Sequence, residues 1–270
     1  MKQQIHTTLS SLLERLDNKS LIKAKVIPWS SPVPSFGDLF SSRIATLGLN
    51  PSNLEFVDRD GKELCGDSRR FHTLKSLGLK KWSDANATHR KLILESCNQY
   101  FHHNPYGGWF NSLNKIISGT KASYYEASIK ACHLDLIPYA TACKWTELTP
   151  QQRALLLEMS GDTLGLLLKD SPVRLLILNG QTVVDNLQKI TGVNFEKNLV
   201  PDWTLPRKSG IGVKGFSYKG VIRKVAGVRL NQPVHVLGFN HNIQSSFGVS
   251  IPVKAAIRDW VTTSAEDILS

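Results

Sequence analysis

Four short apolar runs, each closed by a residue that ends a strand, constrain this chain more than any other feature. They are Ile44 to Leu49 ahead of Asn50-Pro51-Ser52, His133 to Ile137 ahead of Pro138, Arg174 to Asn179 ahead of Gly180, and Val234 to Phe239 ahead of Asn240. Apolar, partly β-branched runs of this length predict buried strands, and proline ends them because it has no backbone donor for a ladder. The stretches between them carry helical spacing. Helices are predicted at 69–78, 86–101, Trp109 to Ile117, Pro150 to Lys169 and Thr182 to Ile190, with a last one from near Pro252 to about Trp260. Strands separated by helices imply a parallel sheet covered on both faces. The expected fold is α/β: a three-layer α/β/α sandwich around a central four-stranded, mainly parallel sheet.

Residues 1–17 read as an amphipathic helix with Ile5, Leu9, Leu12, Leu13 and Leu16 on one stripe. The Pro/Ser-rich stretch Pro28 to Ser35 follows it. Residues 1–35 are therefore expected to form an N-terminal helix and linker packing on one main domain, 36–270; 270 residues suffice for a full core. Between about 195 and 232 the composition changes to glycines, β-branched residues and the cations Lys197, Arg207, Lys208, Lys214, Lys219, Arg223, Lys224 and Arg229. A basic β-hairpin or loop insertion is expected there.

The formal net charge is +11, from 33 Lys+Arg against 22 Asp+Glu. Such a surplus argues for a polyanionic partner, with nucleic acid ahead of an anionic membrane surface because no basic amphipathic helix is present. No apolar run reaches spanning length, and the N-terminus lacks the apolar core of a signal peptide. Cys65, Cys97, Cys132 and Cys143 are scattered without a Cys-x-x-Cys pair. The expectation is a cytoplasmic monomer with reduced thiols, without metal or cofactor. In an open α/β sheet, ligands bind beyond the carboxyl ends of the strands. Asn50, Asp135 and the Asn240 to Asn242 triplet are polar groups at three such ends, and they are expected to converge on one site.

With these motifs in order, the chain from roughly Phe36 to Trp260 resembles the uracil-DNA glycosylase superfamily. Gly48-Leu49-Asn50-Pro51-Ser52 is similar to the water-binding Gly-hydrophobic-Asn-Pro-Gly motif of the mismatch-specific and single-strand-selective branches. His133-Leu134-Asp135-Leu136-Ile137-Pro138 stands in the place of the base-reading strand, where those branches carry Asn before Leu-x-Pro. Gly238-Phe239-Asn240-His241-Asn242 stands where the family has His-Pro-Ser. Phe36-Gly37-Asp38 and Asn104-Pro105-Tyr106 to Phe110 are similar to bacterial members of the group. Three departures stand out: Ser52 for Gly, Asp135 for Asn, and Asn242 for the Pro after the histidine.

The resemblance implies a monofunctional DNA glycosylase that flips a pyrimidine out of DNA and hydrolyses its N-glycosidic bond. Asn50 would hold the attacking water. His241 would donate a hydrogen bond to pyrimidine O2 as negative charge develops there. Gly48 and Ser52 would border the base, with Phe71 or Phe56 stacked on it. Asn242, Ile243, Gln244 and Ser245 would enter the DNA, while Arg207, Lys208, Lys214, Arg223 and Lys224 would grip phosphates. An ionised Asp135 only accepts hydrogen bonds, so it would repel uracil O4 and welcome the exocyclic amine of cytosine; a protonated one could donate to a ring nitrogen. Ser52 leaves the pyrimidine 5-position open, whereas the uracil-strict branch closes it with Tyr. The expected substrate is thus a modified, cytosine-type base, possible in phage defence against glucosylated hydroxymethylcytosine, with uracil as the conservative choice. Two alternatives are a non-catalytic module recognising damaged or abasic DNA and a nucleotide hydrolase on another α/β scaffold; a phosphate-cradling Gly-x-x-x-x-Gly-Lys loop is missing for the latter.

Overall fold

A computed structural model describes residues 2–103, 107–125, 128–207, 212–244 and 248–269. Its strands are β1 (Ser42–Gly48), β2 (Ala122–Ser123), β3 (Ile129–Asp135), β4 (Leu175–Asn179), β5 (Glu196–Leu205), β6 (Val213–Val225) and β7 (Val228–Phe239). The helices are α1 (Lys2–Leu16), α2 (Lys19–Lys23), α3 (Ala87–Asn98), α4 (Tyr100–His103), α5 (Gly107–Ile117), α6 (Pro150–Ser160), α7 (Asp162–Lys169), α8 (Gln181–Thr191) and α9 (Ile251–Leu269). The fold is α/β.

Among the described residues one sheet runs in the order β2-β3-β1-β4-β7-β6-β5. It has seven strands rather than the four expected. The four apolar runs form the contiguous parallel set β3-β1-β4-β7, so Asp135, Gly48, Asn179 and Phe239 all lie at the same end. The remaining strands are short β2, parallel to β3, and the antiparallel pair β5 and β6. The basic stretch is thus no appendage. It extends the sheet, because β6 pairs along β7 from Ser217↔Phe239 down to Val225↔Val228. A two-residue turn at Ala226 (φ 42°) and Gly227 (φ 87°) joins the two, with the positive φ values that match a hairpin's twist.

Period-2 alternation in β4 feeds two apolar clusters. Leu176 and Leu178 join Leu9, Leu12 and Leu13 of α1, Leu164 and Leu168 of α7, and Val184 and Leu187 of α8. Leu175 and Ile177 join Phe110 and Leu113 of α5 and Ile257 and Val261 of α9. Burying each such side chain is worth roughly 1.5–3 kcal/mol, so α1 is held by its leucine stripe. Polar ties fix its angle: Arg15 makes a two-pronged bond to Asp162 at 2.7 and 2.8 Å, and the Tyr139 hydroxyl donates to Leu12 O at 2.9 Å.

Four helix predictions need correction. The expected helix 86–101 breaks at Gln99 into α3 and α4, and the last helix continues to Leu269 instead of ending near Trp260. Residues 69–78 contain only the 3-10 turn Lys75–Leu77. There Ser76 Oγ accepts from Thr73 N and Thr73 Oγ1 from Ser76 N, so these side chains compete with the helical ladder, and Gly78 then turns left-handed at φ 66°. The expected helix Pro150 to Lys169 divides at Gly161, where Ser160 Oγ bonds back to Leu156 O at 2.7 Å. No helix among the described residues is long and apolar enough to cross a membrane.

Candidate active site

A cavity of about 340 Å³ opens beyond the carboxyl ends of the parallel strands. Gly48 to Ser52 line it after β1, His133 and Asp135 from β3, Asn179 from β4 and Asn242 after β7. Leu54, Glu55, Val183 and the rings of Phe36, Trp109 and Phe110 complete it. Its volume is in the range of small-ligand sites.

The Asn-Pro turn presents Asn50 in a defined orientation. Both amide hydrogens of its Nδ2 are taken, by Pro51 O at 3.0 Å and Thr141 Oγ1 at 2.9 Å, and Thr141 Oγ1 in turn donates to Cys143 O at 2.7 Å. The side-chain carbonyl is what remains for a ligand or water. Ser52 Oγ caps the next turn by accepting from Leu54 N at 3.2 Å, and the residue is exposed at the cavity edge.

The opposite wall follows from parallel register. Thr46 pairs with His133 and Gly48 with Asp135, so all four project from one face. His133 Nδ1 is 2.7 Å from Thr46 Oγ1, itself 2.5 Å from the Tyr124 hydroxyl. Burial pushes the Tyr124 phenol far above its usual range, so it stays a donor. The distances are compatible with a proton chain running from Tyr124 to Thr46 to Nδ1, and in that order Nε2–H of His133 is the outward donor. That nitrogen lies 3.5 Å from Asp135 Oδ1, and both residues are buried. Phe36, Trp109 and Phe110 stand around the imidazole with centroids 5.3–5.5 Å away.

Glu55 is a second buried carboxyl on the cavity wall. Tyr100 OH donates to its Oε1 at 2.9 Å, whereas Oε2 has no hydrogen bond and stands 3.6 Å from Arg70 Nη1. Desolvation raises its pKa to about 8, against the pull of Arg70 and Tyr100 and with a push from the Asp135 charge.

Several expected site residues sit elsewhere. His241 is buried and does not line the cavity; its Nε2 is 2.6 Å from the carbonyl of Trp203 in β5. Burial lowers its pKa, which the Trp203 carbonyl partly opposes. The sheet extension brings that carbonyl to the loop after β7 and captures the imidazole. Phe56 and Phe71 also miss the cavity wall, packing in the core against each other, with Phe71 stacked on Tyr100. Asn242 does line it. Asn179 clamps this loop: its Nδ2 donates to Gln244 Oε1 at 2.5 Å and Asn242 Oδ1 at 3.4 Å, and its Oδ1 accepts from Ile243 N at 3.0 Å. Ile243 is consequently buried in the core, not poised at the surface.

The basic residues divide into two groups. Lys214 lies beside Asn240, whose Nδ2 donates to the Lys214 carbonyl at 2.8 Å, and Arg207 follows β5 at the same, cavity end of the sheet. Arg223 and Lys224 lie at the other end, where Lys224 pairs with Arg229. Ten residues of β7 separate Arg229 from Phe239, roughly 33 Å at strand rise. Lys208 and Ser245, and the Asn104-Pro105-Tyr106 motif, fall outside the described residues.

The sequence assigns no part in the site to His133, Glu55, Asn179, Phe36 or Trp109, although Phe36 and Trp109 lie within two of the motifs that carry the resemblance. His133 had a legible signal, standing two residues before Asp135 and hence on the same face. Glu55 had none, since its burial is created by a loop folding under Tyr100. Among the described residues, no group of three His, Cys, Asp or Glu side chains is placed to hold a metal ion. No family model matches the chain, and no curated protein matches it.

Proposed function

We propose that this protein is a monofunctional DNA glycosylase related to the uracil-DNA glycosylase superfamily, acting on a cytosine-type, 5-substituted pyrimidine. The observation that carries the reading is one cavity, at the carboxyl ends of parallel strands, that holds Asn50, Asp135 and three aromatic rings. The three-layer arrangement belongs to the same proposal, supported by the two apolar clusters that β4 feeds. So do DNA as partner, a monomeric state and a cytoplasmic setting for four unpaired cysteines.

In this mechanism the flipped base enters the cavity that the aromatic rings and the β3 side chains line together. Extrusion costs a few kcal/mol, which base–aromatic contact of about 1–3 kcal/mol and edge hydrogen bonds offset. Asn50 holds water through its free carbonyl. An amide is a poor base, so its work is placement, sufficient for a sugar that has gained oxocarbenium character. Negative charge grows on the departing base, and His133 Nε2–H meets it in the part the resemblance assigns to His241. Asp135 accepts from the exocyclic amine, and Ser52 leaves room beside the 5-position.

The test is base release from oligonucleotides bearing uracil, 5-hydroxymethylcytosine or its glucosylated form, read as alkali-labile abasic sites. Release of the cytosine derivatives supports the reading. Release of uracil alone removes the Asp135 argument, and release of nothing removes the enzyme. A non-catalytic module recognising damaged or abasic DNA then remains, a reading favoured by the engagement of His241 with Trp203. It predicts salt-sensitive DNA binding with no base release, and no loss of function in Asn50→Ala or His241→Ala.

A further inference from the structure

We propose that Glu55 is a base-reading residue of this cavity, donating a hydrogen bond from Oε2 to the ring N3 of a cytosine-type base while Asp135 accepts from its amine. This deepens the glycosylase reading and rests on it.

The geometry supplies the argument. Glu55 is 3% exposed yet lines the cavity. Its Oε1 accepts from the Tyr100 hydroxyl at 2.9 Å and so takes the carbonyl part, which leaves Oε2, the oxygen without a hydrogen bond, to carry a carboxyl proton. A buried polar atom left unsatisfied is costly unless a ligand completes it. Three charged or titratable groups face the carboxyl. Arg70 reaches it from the loop before Phe71, with Nη1 at 3.6 Å from Oε2 while donating to Leu54 O at 2.8 Å. Tyr100 reaches it from α4, and the charge of Asp135 from the end of β3. Two carboxyls of one cavity take complementary parts in this proposal, Glu55 donating in a hydrogen bond and Asp135 accepting in one. Cytosine presents the matching pair, an amine donor beside the N3 acceptor. Uracil presents the reverse, O4 as acceptor and N3–H as donor, and is refused at both positions.

The experiment is single-turnover base release by the full-length protein between pH 6 and 9.5, on 5-hydroxymethylcytosine and uracil oligonucleotides, for the wild type and Glu55→Gln. The wild-type rate on the cytosine substrate should fall about tenfold per pH unit above about 8, where Glu55 ionises. Glu55→Gln keeps an N–H donor at that position without a titrating group, so its profile should stay flat across this limb. The wild type should also prefer the cytosine substrate over uracil by roughly tenfold to a hundredfold near pH 7. A wild-type profile that stays level through pH 9.5, or a variant that keeps the same fall, overturns the role of Glu55 while leaving the glycosylase reading standing. If the variant does not fold, as judged by its melting transition, the wild-type profile and base preference still decide. Absence of release from either oligonucleotide at every pH overturns the glycosylase reading, and this inference with it.

Discussion

Gly48 and Asp135 face each other across β1 and β3, and a Cβ on Gly48 would collide with the Asp135 carboxylate and stand 2.9 Å from His133 Nε2. The glycine is required for close approach rather than for an unusual φ. Gly48→Ala is expected to push Asp135 and His133 out of position, cutting base release at least tenfold, with overpacking that costs about 1–3 kcal/mol. Denaturant melts and single-turnover rates on the same preparation check it. Wild-type rates in this variant would show that the β3 side chains do not read the base.

Asn50→Ala removes the carbonyl assigned to water and two hydrogen bonds to the loop. The expected loss of rate is roughly 100-fold, the scale of misplacing a reactant. DNA affinity should remain, and stability should fall by only about 1–2 kcal/mol, near the net worth of two hydrogen bonds. Fluorescence anisotropy with the labelled substrate strand separates the two effects.

Stability should respond to pH through two groups with opposite signs. Burial and the nearby Arg69 charge hold the His72 pKa at about 4, against an ordinary 6.5. The unfolded chain therefore binds the extra proton, and melting temperature should drop as pH falls from about 6.5 to 4, less so in His72→Gln. Glu55 is raised from 4.5 to about 8, so the folded state binds the extra proton between those values. Its contribution is full below 4.5 and lost as pH rises through 8. Glu55→Gln should gain on the wild type steadily across that window and no further above it. Calorimetry from pH 4 to 9 reads both.

Electrostatic grip should depend on which end of the sheet a cation occupies. Arg207→Ala and Lys214→Ala, at the cavity end, are each expected to weaken DNA binding and reduce the slope of log K against log salt by about one. Arg223→Ala and Lys224→Ala, at the far end of β6, should leave the slope unchanged. Salt titrations of the four variants test this, and equal effects from all four would place the DNA along the whole hairpin.

The N-terminal helix belongs to the core. Leu12 of α1 is fully buried, and Leu12→Ala should cost about 2–5 kcal/mol. Urea melts give the value, and a loss below 1 kcal/mol would mean that α1 is only loosely docked.

What the sequence determined by itself is whatever local pattern encodes. Apolar runs ended by Asn-Pro-Ser, proline or glycine specify β1, β3, β4 and β7, because strand ends and turns depend on neighbouring residues. The leucine stripe at 3.6-residue spacing specifies α1. The strand-end rule puts Asn50 and Asp135 at one crevice, since right-handed crossovers leave parallel strands pointing the same way. Only the tertiary structure decided which side chains stand inside the cavity. Trp203 O takes His241 away from it, which no local signal encodes, as β5 is 38 residues distant in sequence. Phe56 and Phe71 are indistinguishable from Phe36 and Phe110 by residue type; all four pack in one core cluster, and packing alone decides that only the second pair also borders the cavity. The burial of Glu55, its proton and its open oxygen arise from contacts 15 and 45 residues away, with Arg70 and Tyr100. Desolvation belongs to a place in the fold, and a residue acquires it only when the chain closes around it.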